Sequence, residues 1–216
     1  MNRKLYRIDS KIDDILKGVI MHLGVFEIYL IVINVVGFIL FAINTWLYNN
    51  TAEGEIDSAL TIVALLGGSL GIIISICIFD FKAEKGNMMS RVFVASVFVI
   101  QIVIYLIVKG FIKTELTIAF WNFFRQHKYI LGYLVIMNVI AFIAYAIDKY
   151  NAIEHRSRIR NVSLLALAFL GGSIGALLSM YTFRHKTSKD YYTVGVPLIL
   201  IMQIVVIFYL MNMRLK

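Results

Sequence analysis

Polar and apolar positions divide the chain into six long apolar runs joined by short polar stretches. A helix crosses a hydrocarbon core of about 30 Å with about 20 mainly apolar residues. Val25–Leu47, Ala59–Phe79, Val92–Ile112, Tyr129–Ile147, Val162–Phe183 and Val194–Met211 fit that length, with charge confined to their ends. Glu27 opens the first run, where a carboxylate reaches the headgroup layer. Ahead of it, Leu5, Ile8, Ile12, Leu16 and Val19 recur at helical spacing, with Lys11, Asp13, Asp14 and Lys17 mostly between them. This pattern predicts an amphipathic helix over Leu5–Ile20, lying in the membrane surface. The first run lacks the small-residue cleavage site of a signal peptide and reads as a span.

Composition narrows the class. Of 216 residues, 60% are hydrophobic and 16% charged, against about 45–50% and about 25% in soluble domains. One Cys, Cys77, excludes a disulfide scaffold, and is expected to be a small buried apolar residue. The net charge of +8 would suggest nucleic acid in a soluble protein, but the basic residues sit in loops between apolar runs. They bear on membrane orientation instead, and no nucleic-acid partner is expected.

The chain also repeats itself. Leu66-Gly67-Gly68-Ser69-Leu70-Gly71 returns 104 residues later as Leu170-Gly171-Gly172-Ser173-Ile174-Gly175. At that offset Asn34 meets Asn138, Phe38 meets Phe142, Ser75 meets Ser179, Phe79 meets Phe183, and Lys82 and Lys85 meet Lys186 and Lys189. Between Ile31–Lys85 and Val135–Lys189, 17 of 55 aligned positions are identical. After a two-residue shift, Gln101 meets Gln203. Ile112, Leu116 and Phe120 align with Ile8, Ile12 and Leu16, which extends the amphipathic pattern to the second copy. The domains expected are 1–108 and 109–216.

Three spans per copy is an odd number, so the second copy would enter the membrane from the opposite side. The expected fold is all-α and integral to the membrane: six transmembrane helices as two inverted three-helix repeats, each preceded by an amphipathic interfacial helix. With alternating spans, the side holding both termini, Asp80–Arg91 and Asp148–Arg160 carries 14 Lys and Arg, and the other carries 7. The richer side is expected to be cytoplasmic, with both termini inside. In the alternative, the Gly-Gly segment is re-entrant, each copy crosses twice and the copies are parallel.

Several matched residues could carry function. Gly67, Gly71 and Ser75, like Gly171, Gly175 and Ser179, lie four apart on one helix face. They suit close packing between the second and fifth spans, or the lining of a narrow path. Asn34 and Asn138 fall near mid-membrane, as do Gln101 and Gln203, and buried amides need partners. They could bond between helices, or form a polar centre for an ion or small polar solute. Arg184, His185, Lys186 and Lys189 cluster after the fifth span and could bind a phosphate or lipid headgroup, or anchor the helix at the interface. No second His or Cys stands at ligand spacing from His185, and neither a metal nor a cofactor is expected. Phosphate-cradling and metalloprotease motifs are missing, and Ser173 has no central His to serve as base, so a membrane enzyme ranks third among the readings, behind a transporter and a headgroup-binding protein.

Tyr145-Ala-Ile-Asp148-Lys149, Ala152, Arg158-Ile159, Leu170-Gly-Gly-Ser-Ile-Gly-Ala-Leu177, Met180, Phe183-Arg-His-Lys-Thr187, Lys189 and Pro197 together resemble the bacterial membrane family called domain of unknown function 1294. The resemblance covers about Ile130–Gln203. The family pattern continues Arg-Ile with Pro-Glu, where this chain has Arg160-Asn161. Family members commonly look like single copies, so this chain resembles a fused pair. The resemblance implies a bacterial membrane protein and supplies no substrate. The leading expectation is a small channel or transporter in the bacterial inner membrane, with the lipid bilayer as its partner and homodimerisation open. The alternative is a headgroup-binding or accessory membrane protein.

Overall fold

A computed structural model describes residues 24–50, 57–80, 87–113 and 115–213. The stretch Leu5–Ile20 lies outside them, as do Lys82 and Lys85. The described residues are almost entirely helical, and six segments are long and apolar enough to cross a membrane. Contacts group the chain into two units, Met1–Phe79 and Asp80–Lys216.

The first unit holds α1 (Val25–Asn50), α2 (Asp57–Val63) and α3 (Ser69–Phe79). The wide turn Ala64–Gly68 joins α2 to α3, and inside it Gly67 has φ 121° and ψ −3°. An L side chain disfavours that conformation, so glycine stands where the chain turns. The turn reverses direction. Helix α2 starts a few residues after α1 ends, and therefore at the C-terminal end of α1. Gly67 lies against Leu30 and Ile33, the amide of Gly71 bonds to Asn34, and Phe79 packs on Phe38. Helix α3 thus runs parallel to α1, back toward the end where α2 began. Ala64, Ile72 and Ile76 are buried in this unit.

The second unit repeats the pattern. Helix α6 (Lys128–Ile153) precedes α7 (Asn161–Leu167), and the turn Ala168–Gly172 leads into α8 (Ser173–Thr182). Gly171 has φ 119° and ψ −1°. Here the reversal is shown directly. Lys186, just beyond α8, donates to the side chain of Asn161, the first residue of α7, at 3.0 Å. A straight helix would hold these residues about 37 Å apart at 1.5 Å per residue. Each arm has roughly ten helical residues, or about 15 Å, so the tip reaches about half the depth of the hydrocarbon.

The unit is completed by α4 (Met88–Val108), α5 (Phe120–Gln126), α9 (Asp190–Thr193) and α10 (Gly195–Asn212). Gly195 sits against Met89 and Val92, while Ile112 pairs with Met213. Helices α4 and α10 are therefore parallel. The core gathers Tyr145, Leu164, Ala168, Ala176, Met180, Tyr192, Val196 and Ile199 between the hairpin and α6 and α10.

These contacts correct the expected topology. Strict alternation makes the third and sixth spans antiparallel, and α4 and α10 are parallel. The second and fifth apolar runs are re-entrant hairpins, so each copy contains two crossing helices and one hairpin. The inverted relation required three crossings, and its premise fails. The orientation count fails with it, because Arg184–Tyr192 now shares an end with Asp148–Arg160 and the end of α10 lies opposite. Where the second copy was expected to carry an amphipathic helix, the described residues between α4 and Phe120 are not helical. The amides of Lys113 and Thr117 bond instead to the carbonyl and side chain of Asn212, at 2.8 and 2.7 Å. A helix begins only at Phe120. Cys77, expected to be buried, is exposed.

Each glycine stripe is used inside its own unit. A β-carbon at Gly71 or Gly175 would fall on the carbonyl oxygen of Asn34 or Asn138. Gly175→Ala is expected to lower thermal stability by about 1–3 kcal/mol, as overpacking does. Gly132→Ala, in a helix with nothing within 4 Å of the new methyl, should leave it unchanged or raise it. Thermal unfolding in detergent separates the two.

Candidate functional site

A helix end leaves its last carbonyls without intrahelical partners, and at membrane depth no bulk water replaces them. At the tip of the second hairpin side chains do so. Tyr133 donates to the carbonyl of Leu170 at 2.5 Å. Asn138 donates to Gly171 and Leu134, at 2.9 and 2.8 Å, and accepts from the amide of Gly175 at 2.7 Å. Gln203, from the middle of α10, donates to the carbonyls of Ala168 and Phe169, at 2.7 and 3.2 Å. Its oxygen accepts from the hydroxyl of buried Ser173 at 2.5 Å. Four consecutive carbonyls, 168–171, are thereby satisfied.

The first hairpin has the corresponding contacts 104 residues earlier. Tyr29 donates to Leu66 at 2.6 Å, and Asn34 donates to Leu30 at 2.7 Å and accepts from Gly71 at 2.8 Å. The amides Asn34, Asn138 and Gln203 are thus engaged with backbone at hairpin tips. Gln101 lies half-buried in α4. Ser75 and Ser179 are buried one turn beyond the close glycines, and their hydroxyls have no hydrogen-bond partner among the described residues. The pair Tyr29 and Tyr133 was not among the candidate residues. Their separation of 104 is the signal that could have found them, just outside the aligned block.

The base of the second hairpin holds an ionic cluster. Asp148 is fully buried near the end of α6. Its Oδ1 accepts from the amide of Ile159, just before the hairpin, at 2.9 Å. Its Oδ2 lies 2.9 Å from both His185 Nε2 and Lys186 Nζ, just after the hairpin. One carboxylate therefore pins both ends. Lys186, with 5% of its side chain exposed, also donates to Asn161 at 3.0 Å and Tyr192 at 2.8 Å. Tyr145 stands edge-on to Tyr192, with ring centres 5.8 Å apart. Arg158, half exposed, reaches Asp148 at 4.0 Å. Burial pushes both His185 and Lys186 below their usual values, and the bonds and charge of Asp148 oppose the shift. The residues expected to form one anion site are therefore divided. His185 and Lys186 turn inward onto Asp148, while Arg184 and Lys189 are exposed and Lys149 is half-buried. Arg184 and Lys186 take left-handed backbone, φ 44° and 61°, where the chain turns out of α8.

Residues 138–192 match the model of a protein family of unknown function, DUF1294. The match begins on Asn138 at the tip and ends on Tyr192 in the ionic cluster. The chain is 40% identical over 78 residues to the uncharacterized protein YsdA of Bacillus subtilis (strain 168), covering 36% of this chain and 88% of that protein. The chain belongs to the DUF1294 family. No solved structure matches it. The relative is bacterial, and among the described residues of this chain six apolar segments are long enough to span a membrane. The family match encloses the whole second hairpin with its base. At the offset of 104 residues Asn44 stands for Asp148 and Phe81 for His185, so the first copy lacks the residues of this ionic cluster.

Proposed function

We propose that this chain is a small channel or transporter of the bacterial inner membrane, passing an ion or small polar solute, with the re-entrant hairpins as its working parts. The observation that carries the reading is the break of both apolar segments at Gly67 and Gly171. Interrupted backbone at membrane depth is tolerated where it is buried in protein or lines a cavity, and transporters place their sites at such breaks. The breaks in this chain bring short helix ends, amides and hydroxyls into the hydrocarbon. A packed helix pair would need none of these.

Purified protein in liposomes is expected to pass at least one of potassium, sodium, chloride or protons faster than empty liposomes. Asn138→Leu should reduce that flux while the protein stays folded by thermal denaturation. No flux above background across the panel would remove the reading.

Binding of anionic headgroups is a second reading, favoured by the exposure of Arg158, Arg184 and Lys189 around the hairpin base. Anionic lipid retained through purification, and lost in a triple Arg158→Gln, Arg184→Gln, Lys189→Gln variant, would support it.

A further inference from the structure

We propose that His185 is a proton-binding site whose occupancy releases the base of the second hairpin. The geometry of the cluster carries this. Asp148 is the shared acceptor for the start and end of the hairpin, and His185 supplies one of the two side-chain bonds to Oδ2. An ionised carboxylate only accepts, so His185 Nε2–H is the donor and Nδ1 is the nitrogen that takes an incoming proton. The charges facing this ring are already balanced without it. Asp148 contributes the negative charge and Lys186 the compensating positive one, 2.9 Å from the same oxygen. Lys149 on α6 and Arg158 before α7 add positive charge nearby, and the neighbouring hydroxyls of Tyr145 and Tyr192 are neutral. A proton on Nδ1 therefore brings a second buried positive charge onto a carboxylate that Lys186 already neutralises. That charge is better solvated when the base of the hairpin opens.

The sign follows from linkage. Docking disfavours the charged ring, so the open state binds the proton more tightly. The contribution of His185 to docking is complete above the free-histidine value of about 6.5 and is lost as pH falls below it. Acid opens the base and neutral pH closes it. This goes beyond transport, because the site would respond to protons whether or not the chain passes a solute.

Hydrogen exchange of the full chain in nanodiscs, corrected for intrinsic rates, tests it. Amides of 159–170 and 183–192 are expected to lose protection between about pH 8 and about pH 5, by up to tenfold for each unit separating the docked and free values. His185→Gln keeps a neutral donor and should retain its neutral-pH protection in acid. Equal wild-type protection at both pH values would overturn the proposal, as would an unchanged pH dependence in the variant. If His185→Gln is unprotected at both, NMR titration of the wild-type His185 ring decides. A midpoint below about 6.5 that coincides with the loss of protection supports the site, and one at or above that value overturns it.

Discussion

Cysteines placed at Ser157 and Ser188 will be labelled from the same face of the membrane, and a cysteine at Glu115 from the opposite face. The background is Cys77→Ala, which removes an exposed native thiol. The three positions are exposed, and an impermeant maleimide on oriented vesicles reads the result directly. Six alternating crossings would put Ser188 with Glu115 and Ser157 alone. The re-entrant hairpin puts Ser157 and Ser188 together, because Asn161 and Lys186 are hydrogen bonded at the two ends of one segment. Glu115 goes with the far end of α10, where Ile112 pairs with Met213. The outcome is all or none, with no intermediate labelling pattern compatible with both topologies.

Asp148→Asn will strongly destabilise the second unit. The substitution removes the negative charge from a fully buried position and leaves the Lys186 ammonium, 5% exposed, without its counter-ion. Breaking a buried pair on one side costs about 3–5 kcal/mol, most of it from the stranded charge. Asp148→Asn combined with Lys186→Met should recover a large part of the loss, because neither member is then stranded. A non-additive double-mutant cycle in detergent unfolding is the expected signature. If the double variant loses as much as the two single losses added together, the ion pair is not what holds the hairpin base.

The apolar runs, their lengths and the internal repeat were legible because each is a property of residue type and spacing alone. The reversal at Gly67 and Gly171 was not. A continuous apolar stretch of 22 residues satisfies the length rule whether it runs straight or folds at its centre. The Gly-Gly pair stands at the turn, but glycine pairs also serve helix contact, and composition does not separate the two uses. The separation comes from long-range partners: Tyr133 and Gln203 capping carbonyls, and Asn161 meeting Lys186. Asn34 and Asn138 were recognisable as buried amides, and their bonding to the backbone of the hairpin tips required the fold. The basic run Arg184–Lys189 read as a single surface because its residues adjoin in sequence. The left-handed turn at Arg184 and Lys186 instead sends neighbouring side chains in different directions, and only Asp148 reveals which ones go inward.

The capping of the second tip also orders events during synthesis. Tyr133 and Asn138 are made before the hairpin, so Leu170 and Gly171 meet their partners as soon as the two arms fold. Gln203 follows Ser173 by 30 residues, and it serves the carbonyls of Ala168 and Phe169. Two groups at the deepest point of the hairpin therefore wait for α10 to leave the ribosome. In the first hairpin, Tyr29 and Asn34 reach the tip from a helix already made. Helix α10 thus closes a structure begun much earlier, and the second tip is complete only once α10 is in place.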